Sequence, residues 1–253
     1  MSYHLDYEAL FDQDSPRQDF ERSAAYMLRH AIAQEYPNSW WMNISSEKAL
    51  FQGQSYLFMK RVMDLTLVFL SMPVWLMIIG ICGLLVKLDS PGGPVFFKQW
   101  RTGKDGNRFQ IYKFRTMVPN AEQIKQDLMH LNELQWPDFK ITSDPRITRV
   151  GRILRKTSLD ELPQLLNVIR GEMSIVGPRP TSFKPETYAL WQTERLDVLP
   201  GVTGLWQVIG RGSMEFDERV RLDIAYIERQ CLWLDFLILI HTATAVVSQR
   251  GAY

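Results

Sequence analysis

Between Leu65 and Val86 the chain carries no charged residue. At about 1.5 Å per helical residue this run matches a bilayer core of about 30 Å. It therefore reads as a membrane-inserted helix rather than a buried core helix. Lys60 and Arg61 precede it and Lys87 follows, so cations flank both ends and the positive-inside rule selects no orientation. Pro73 lies inside the run, with Ser71 two residues earlier. Proline lacks a backbone donor and clashes with the carbonyl four residues back, so a kink is predicted there. The Ser71 hydroxyl is placed to rebind a freed carbonyl, which makes the break tolerable in lipid. The pattern gives insertion; a kinked span and a helix that enters and leaves on one face both satisfy it.

The rest of the chain is more polar. Residues 1–58 read as a separate extension, with an amphipathic helix over Asp19–Ala33 (Phe20, Ala24, Met27, Leu28 and Ala31 at helical spacing) and an indole pair, Trp40 and Trp41. Asp12-Gln13-Asp14 is an acid-x-acid triplet too short to carry weight. After the apolar run, Asp89 to Pro94 is a clear break. Val95–Arg101 and Arg108–Arg115 are rich in aromatic residues and Ile, and Asp105-Gly106-Asn107 between them predicts a β-hairpin. Lys113 and Arg115 then share one strand face. Ala121–Leu134 is predicted as a solvated helix. Arg146, Arg149, Arg152 and Arg155 recur every third residue. At about 100° per residue they sweep too wide an arc for one pocket, so some are expected to serve a site and others to face solvent or lipid. Pro200–Gly204 reads as a turn into the apolar Leu205–Ile209, and Phe216–Gln230 as a helix dense in charge pairs. Leu232–Val247 is apolar but interrupted by Asp235 and His241. It is too short for a clear span and is expected either to lie in the interfacial plane or to close the core.

Composition narrows the function classes. A formal net charge of +1 over 253 residues excludes a nucleic-acid binder driven by bulk charge, so any basic site must be local. The two cysteines, Cys82 and Cys231, have no metal-ligand spacing. They read as free buried thiols, consistent with a reducing compartment. The N-terminus opens on Asp6, Glu8, Asp12 and Asp14 rather than on a basic start and an apolar core, so no signal peptide is expected.

Candidate chemistry concentrates between Leu154 and Pro180, in LRKTSLDELPQLLNVIRGEMSIVGPRP. Adjacent carboxylates, Asp160 and Glu161, follow Arg155 and Lys156; Arg179 sits between Pro178 and Pro180. Ser158-x-x-Glu161 also fits a capping box, with acids and Pro163 in a first helical turn, which is a purely structural explanation. The flanking cations favour a second one. Opposite charges depress a carboxylate's pKa, so an acid here is expected to be held ionised as a nucleophile. Neighbouring carboxylates on a helix point about 100° apart, so one can attack phosphorus while the other binds Mg²⁺.

Arg155-Lys156-Thr157-Ser158-Leu159-Asp160-Glu161-Leu162-Pro163-Gln164, Gly171-Glu172-Met173-Ser174 and Gly177-Pro178-Arg179-Pro180 resemble the bacterial sugar transferases, the monotopic polyprenol-phosphate phosphoglycosyl transferases. The likeness runs from about Lys60 to Tyr253. It takes in Gln99-x-Arg101-x-Gly103, Tyr112 to Met117, Ser143 to Thr148 and Pro200 to Gly204. The resemblance implies a mostly α fold with a small β-hairpin. It also implies a re-entrant membrane helix broken near Ser71 and Pro73, and an interfacial helical catalytic domain on the cytoplasmic face of the bacterial inner membrane. Ser71 and Pro73 are separated here by Met72, a departure from the family's adjacent Ser-Pro pair.

The implied reaction moves a sugar-1-phosphate from a UDP-sugar to polyprenol (undecaprenyl) phosphate and releases UMP, as the first step of polysaccharide assembly. By the same likeness Asp160 forms a covalent phosphosugar intermediate and Glu161 binds Mg²⁺. Arg155 contacts phosphate, Arg179 helps hold the nucleotide end, and Lys113 and Arg115 assist. Larger members carry membrane spans before this domain, where this chain has the polar extension. The alternatives are a conventional glycosyltransferase releasing UDP, for which no acid-x-acid site in a Rossmann-like pattern exists, an inactive membrane scaffold, which intact Asp160 and Glu161 disfavour, and a lipid-binding module, which leaves the paired acids unexplained.

Overall fold

The computed structural model describes residues 32, 34–37, 39–133, 141–210 and 214–247. They fall in two units, one ending at Asn43 and one beginning at Ile44. In the first, the Tyr36 and Trp41 rings pack 6.2 Å apart. Nearly all of the helix expected over Asp19–Ala33, and the triplet at Asp12, lie outside the described residues. The second unit starts earlier than residue 59, because Ser46 already donates to the Glu228 carbonyl at 3.0 Å.

The apolar run is divided between two helices, α1 (Gly53–Leu70) and α2 (Met72–Asp89). Ser71 is the joint. Its backbone caps α2, Pro73 falls in the first turn of α2, where a missing donor costs nothing, and the Ser71 hydroxyl donates to the Leu67 carbonyl at 2.6 Å. Trp75 Nε1 donates to the Val68 carbonyl at 2.9 Å. Side chains on both sides of the break thus meet the Leu67 and Val68 carbonyls, which eases such a break in lipid.

Only one stripe of this pair faces inward. Val68, Trp75, Cys82 and Val86, at helical spacing, are buried. Val68 and Trp75 pack with Phe109, Ile111, Val168 and Met173, and Cys82 and Val86 pack with Phe114 and Leu154. The remaining apolar side chains of α2, among them Val74, Leu76, Met77, Ile81, Leu84 and Leu88, are exposed. Of the described helices α2 alone is long and apolar enough to cross a membrane.

The expected hairpin forms from β1 (Phe96–Thr102) and β2 (Arg108–Phe114), antiparallel, with Phe97 opposite Lys113 and Arg101 opposite Phe109. Its turn uses positive φ at Asp105 and Gly106. The Asn167 side chain continues the sheet edge, accepting from Tyr112 N at 3.1 Å and donating to the Gln110 carbonyl at 2.8 Å.

Two expectations are corrected. The helix predicted over Ala121–Leu134 is only α3 (Ala121–Lys125) plus a 3₁₀ turn (Met129–Leu131). No side chain in either piece is buried, so no apolar face supports a longer helix. Gly201–Thr203, expected as a turn, is strand β4, parallel to β3 (Ser174–Val176). A Cβ at Gly201 would collide with the Gly177 backbone, so glycine there permits the pairing.

Helices α4 (Arg149–Lys156), α5 (Leu165–Arg170), α6 (Leu205–Ile209), α7 (Phe216–Arg229) and α8 (Leu232–Val247) complete the described unit. Leu234, Asp235 and Ile238 of α8 are buried while Trp233, Phe236 and Ile240 are exposed, so this helix closes the core and still shows an apolar face. Cys82 and Cys231 are free and buried, as read.

Candidate active site

The paired acids sit on a 3₁₀ helix, Leu159–Gln164, between α4 and α5. The capping box does not form. Ser158 has φ 57° and caps nothing with its side chain. The Glu161 carboxylate turns away from the Ser158 backbone to a pair of cations: Lys113 Nζ donates to Oε1 at 2.7 Å, and Arg179 binds both oxygens, with Nη1 to Oε2 at 2.9 Å and Nη2 to Oε1. A non-glycine residue held in the left-handed region is uncommon and gathers at functional sites. At Ser158 it turns the chain sharply from α4 into the acidic segment. That segment packs along β2, whose inward face, Phe109 and Ile111, ends in Lys113.

Asp160 is half-buried, and no described hydrogen bond engages its carboxylate. The expectation of a depressed pKa is reversed: burial, reinforced by the negative charge of Glu161, pushes Asp160 up to about 6 against the pull of Lys113, Arg155 and Arg179. Lys156, expected to help hold it ionised, is exposed. Burial works in the same direction on Glu161, but Arg179 and Lys113, by charge and hydrogen bond, outweigh it and hold that group well below the usual range. Burial also pulls the Lys113 ammonium down against Glu161. The two carboxylates therefore differ in kind: one clamped and held ionised by its cations, the other without a hydrogen bond among the described residues and raised to about 6.

The arginine series separates by environment, and Arg146 lies outside the helix that carries the other three. Arg155 donates to Thr116 Oγ1 at 2.9 Å and feels the Asp160 charge, while Arg149 and Arg152 are exposed. Arg146 precedes α4 and closes a buried pair with Asp144 at 2.6 Å. Arg115 does not join Lys113. It lies past the end of β2, and its Nη2 donates to the Ser90 carbonyl beyond α2. Ser71 and Pro73 lie at the helix joint rather than at the acids. Sequence reasoning passed over Arg101, whose guanidinium is drawn down to about 10 by burial and by Arg179 while facing Glu161. It also passed over Arg195, which donates to the Arg179 carbonyl at 2.7 Å and to Asp223 at 2.6 Å. Arg101 stood inside a quoted motif; nothing in the sequence marked Arg195.

No group of three or more His, Cys, Asp and Glu among the described residues forms a metal site. Glu161, expected as the Mg²⁺ ligand, already meets cations at both oxygens.

A family model described as bacterial sugar transferase matches residues 55–249. An undecaprenyl-phosphate galactose phosphotransferase of Salmonella typhimurium is 46% identical over 175 residues, covering 67% of this chain and 37% of that protein. The galactosyl transferase CpsE of Streptococcus agalactiae is 43% identical over 206 residues, covering 80% of this chain and 45% of that one. A UDP-glucose:undecaprenyl-phosphate glucose-1-phosphate transferase of Caulobacter vibrioides is 40% identical over 203 residues, covering 77% and 72%. The chain thus spans less than half the length of the first two.

Proposed function

The chain belongs to the bacterial sugar transferase family, and from that membership and the site we propose that it transfers a sugar-1-phosphate from a UDP-sugar to a polyprenol phosphate through a phosphosugar ester on Asp160. The observation that carries this reading is the contrast within the acidic pair. Glu161 is held by Lys113 and Arg179, while Asp160 keeps its oxygens out of described hydrogen bonds.

An Asp160 oxygen attacks the sugar-bearing phosphorus of the donor. The phosphorus–oxygen bond to the second phosphate breaks, and UMP departs with the bonding pair. A phosphate oxygen of the polyprenol phosphate then attacks the same phosphorus. This returns the bonding pair to Asp160 and yields a polyprenyl diphosphate sugar. With a pKa of about 6, Asp160 is mostly ionised at pH 7 yet more basic than an ordinary aspartate, which suits a nucleophile. Lys113, Arg155 and Arg179 supply positive charge where two anions must meet.

Magnesium enters the proposal as an ion carried on the donor diphosphate, since Mg²⁺ in such sites takes few protein ligands and several phosphate oxygens. No step above depends on a protein-held ion. Membrane placement is part of the same proposal, with the α1–α2 pair inserted re-entrantly and the site on the cytoplasmic face; the exposed apolar side chains of α2 support it.

The test is incubation of the solubilised protein with Mg²⁺ and single UDP-sugars, without lipid acceptor. UMP and a sugar-phosphate adduct are expected, and Asp160→Asn should give no adduct. UDP as the product, or a full adduct yield on Asp160→Asn, overturns the reading.

A further inference from the structure

Beside Arg179 lies a cavity of about 340 Å³ whose described walls hold five basic side chains and no carboxylate. Arg101, Arg179, Arg195 and Arg219 are among them, with Trp206 and Phe216. Three buried N–H donors of these walls, Arg101 Nε, Arg195 Nη1 and Trp206 Nε1, have no hydrogen-bond partner among the described residues. Buried donors left unmet are costly and rare in a folded interior. Like charges gathered this closely repel: Arg179 helps lower the Arg101 pKa. Both features are relieved by one kind of occupant, an anion rich in acceptor oxygens. The same wall has stacking surfaces. The Arg219 guanidinium lies 5.5 Å from the Trp206 ring and 5.7 Å from that of Phe216, and Arg195 lies 5.8 Å from Phe216.

We propose that this cavity is the subsite for the nucleotide half of the donor. Arg101 and Arg195 receive the phosphate that leaves with the nucleoside, and the base stacks against the Trp206–Arg219 wall. This rests on the reading of the reaction given above and deepens it. Arg179 is the shared wall: it lines the cavity and binds Glu161, which adjoins Asp160 in the chain. The nucleotide would lie on one side of Arg179 and the reacting phosphorus on the other, so UMP is left in a pocket that does not include Asp160.

Binding of UMP to the full chain in detergent, followed by tryptophan fluorescence and by calorimetry, separates this from the catalytic claim. UMP is expected to bind saturably, and Asp160→Asn should bind it within twofold of wild type. Arg219→Gln and Arg101→Gln, each checked for an unchanged melting temperature, should weaken it at least tenfold. UMP affinity within twofold of wild type in both folded variants overturns the proposal, as does inorganic phosphate competing as well as UMP. If UMP binds as described but no UDP-sugar yields UMP, the subsite stands and the reaction falls. If UMP is released normally by variants that bind it normally, the subsite alone falls.

Discussion

At the residue scale the unusual group is Asp160, and its chemistry follows from what Glu161 does. Glu161 takes the direct contacts of Lys113 and Arg179, so Asp160 feels those cations only at a distance while burial and the Glu161 charge raise its pKa to about 6. In the proposed reaction the adduct forms from the ionised group, so its rate should rise with pH through about 6 and level off above it. Glu161→Gln removes the neighbouring negative charge and releases both cations toward Asp160. Each change lowers the Asp160 pKa, so the acid limb should move to lower pH. Single-turnover rates from pH 4.5 to 8 measure this, and a limb that stays in place or moves upward contradicts the electrostatic role given to Glu161. Asp160→Asn should reduce turnover roughly a thousandfold or more. The acidic cluster itself was legible in the sequence, because cations, proline and the paired carboxylates stand within a few residues. Their division of labour was not. Lys113 is 48 positions from Glu161, and local charge alone pointed to the wrong direction of shift for the neighbouring aspartate.

At the element scale the same limit applies to α8. Asp235 interrupts an apolar helix and reads as a blemish in sequence. In the fold it is fully buried and accepts from Tyr56 at 2.9 Å, Tyr226 at 2.6 Å and Lys60 at 2.9 Å, tying α1, α7 and α8 together. Removing one partner of a buried pair leaves an uncompensated charge and costs about 3–5 kcal/mol, whereas apolar replacement of both is often neutral. Asp235→Ala should therefore lower the melting temperature in detergent severely, and Lys60→Met with Asp235→Leu should recover most of the loss. A single variant that melts within a few degrees of wild type contradicts this account. The hairpin, the joint at Ser71 and α7 were legible because each depends on near neighbours: a turn triplet, a proline, a run of helix formers. The parallel pairing of β3 with β4 was not, since it joins Ser174 to Gly201 across 3₁₀ turns that leave no periodic signal.

At the scale of the whole molecule the proposed re-entrant placement of the apolar pair rests on how α1 and α2 are anchored. Midway along α1, Lys60 is bound to Asp235 at 2.9 Å, and Arg61 donates to the Val168 and Ile169 carbonyls at the end of α5. At the far end of α2, Val86 packs with Phe114 and Leu154, and Asp89 accepts from Val150 N at 3.0 Å. Both helices are fastened to one compact unit. A helix crossing the membrane would have to place these two sets of contacts on opposite faces, and the strands and helices that join them would be drawn through lipid with their polar groups, at several kcal/mol for each unsatisfied backbone group. Re-entry needs only that the Ser71 joint dip into the bilayer, where the Leu67 and Val68 carbonyls are already met by Ser71 and Trp75. Tags placed at residue 1 and residue 253, probed with impermeant reagents in sealed vesicles of both orientations, should therefore report the same side, and that side should be the cytoplasm. Tags on opposite sides would establish a span. In that case the contacts of Lys60 and of Asp89 could not coexist in the membrane-bound protein, and one set would have to be absent from the active form.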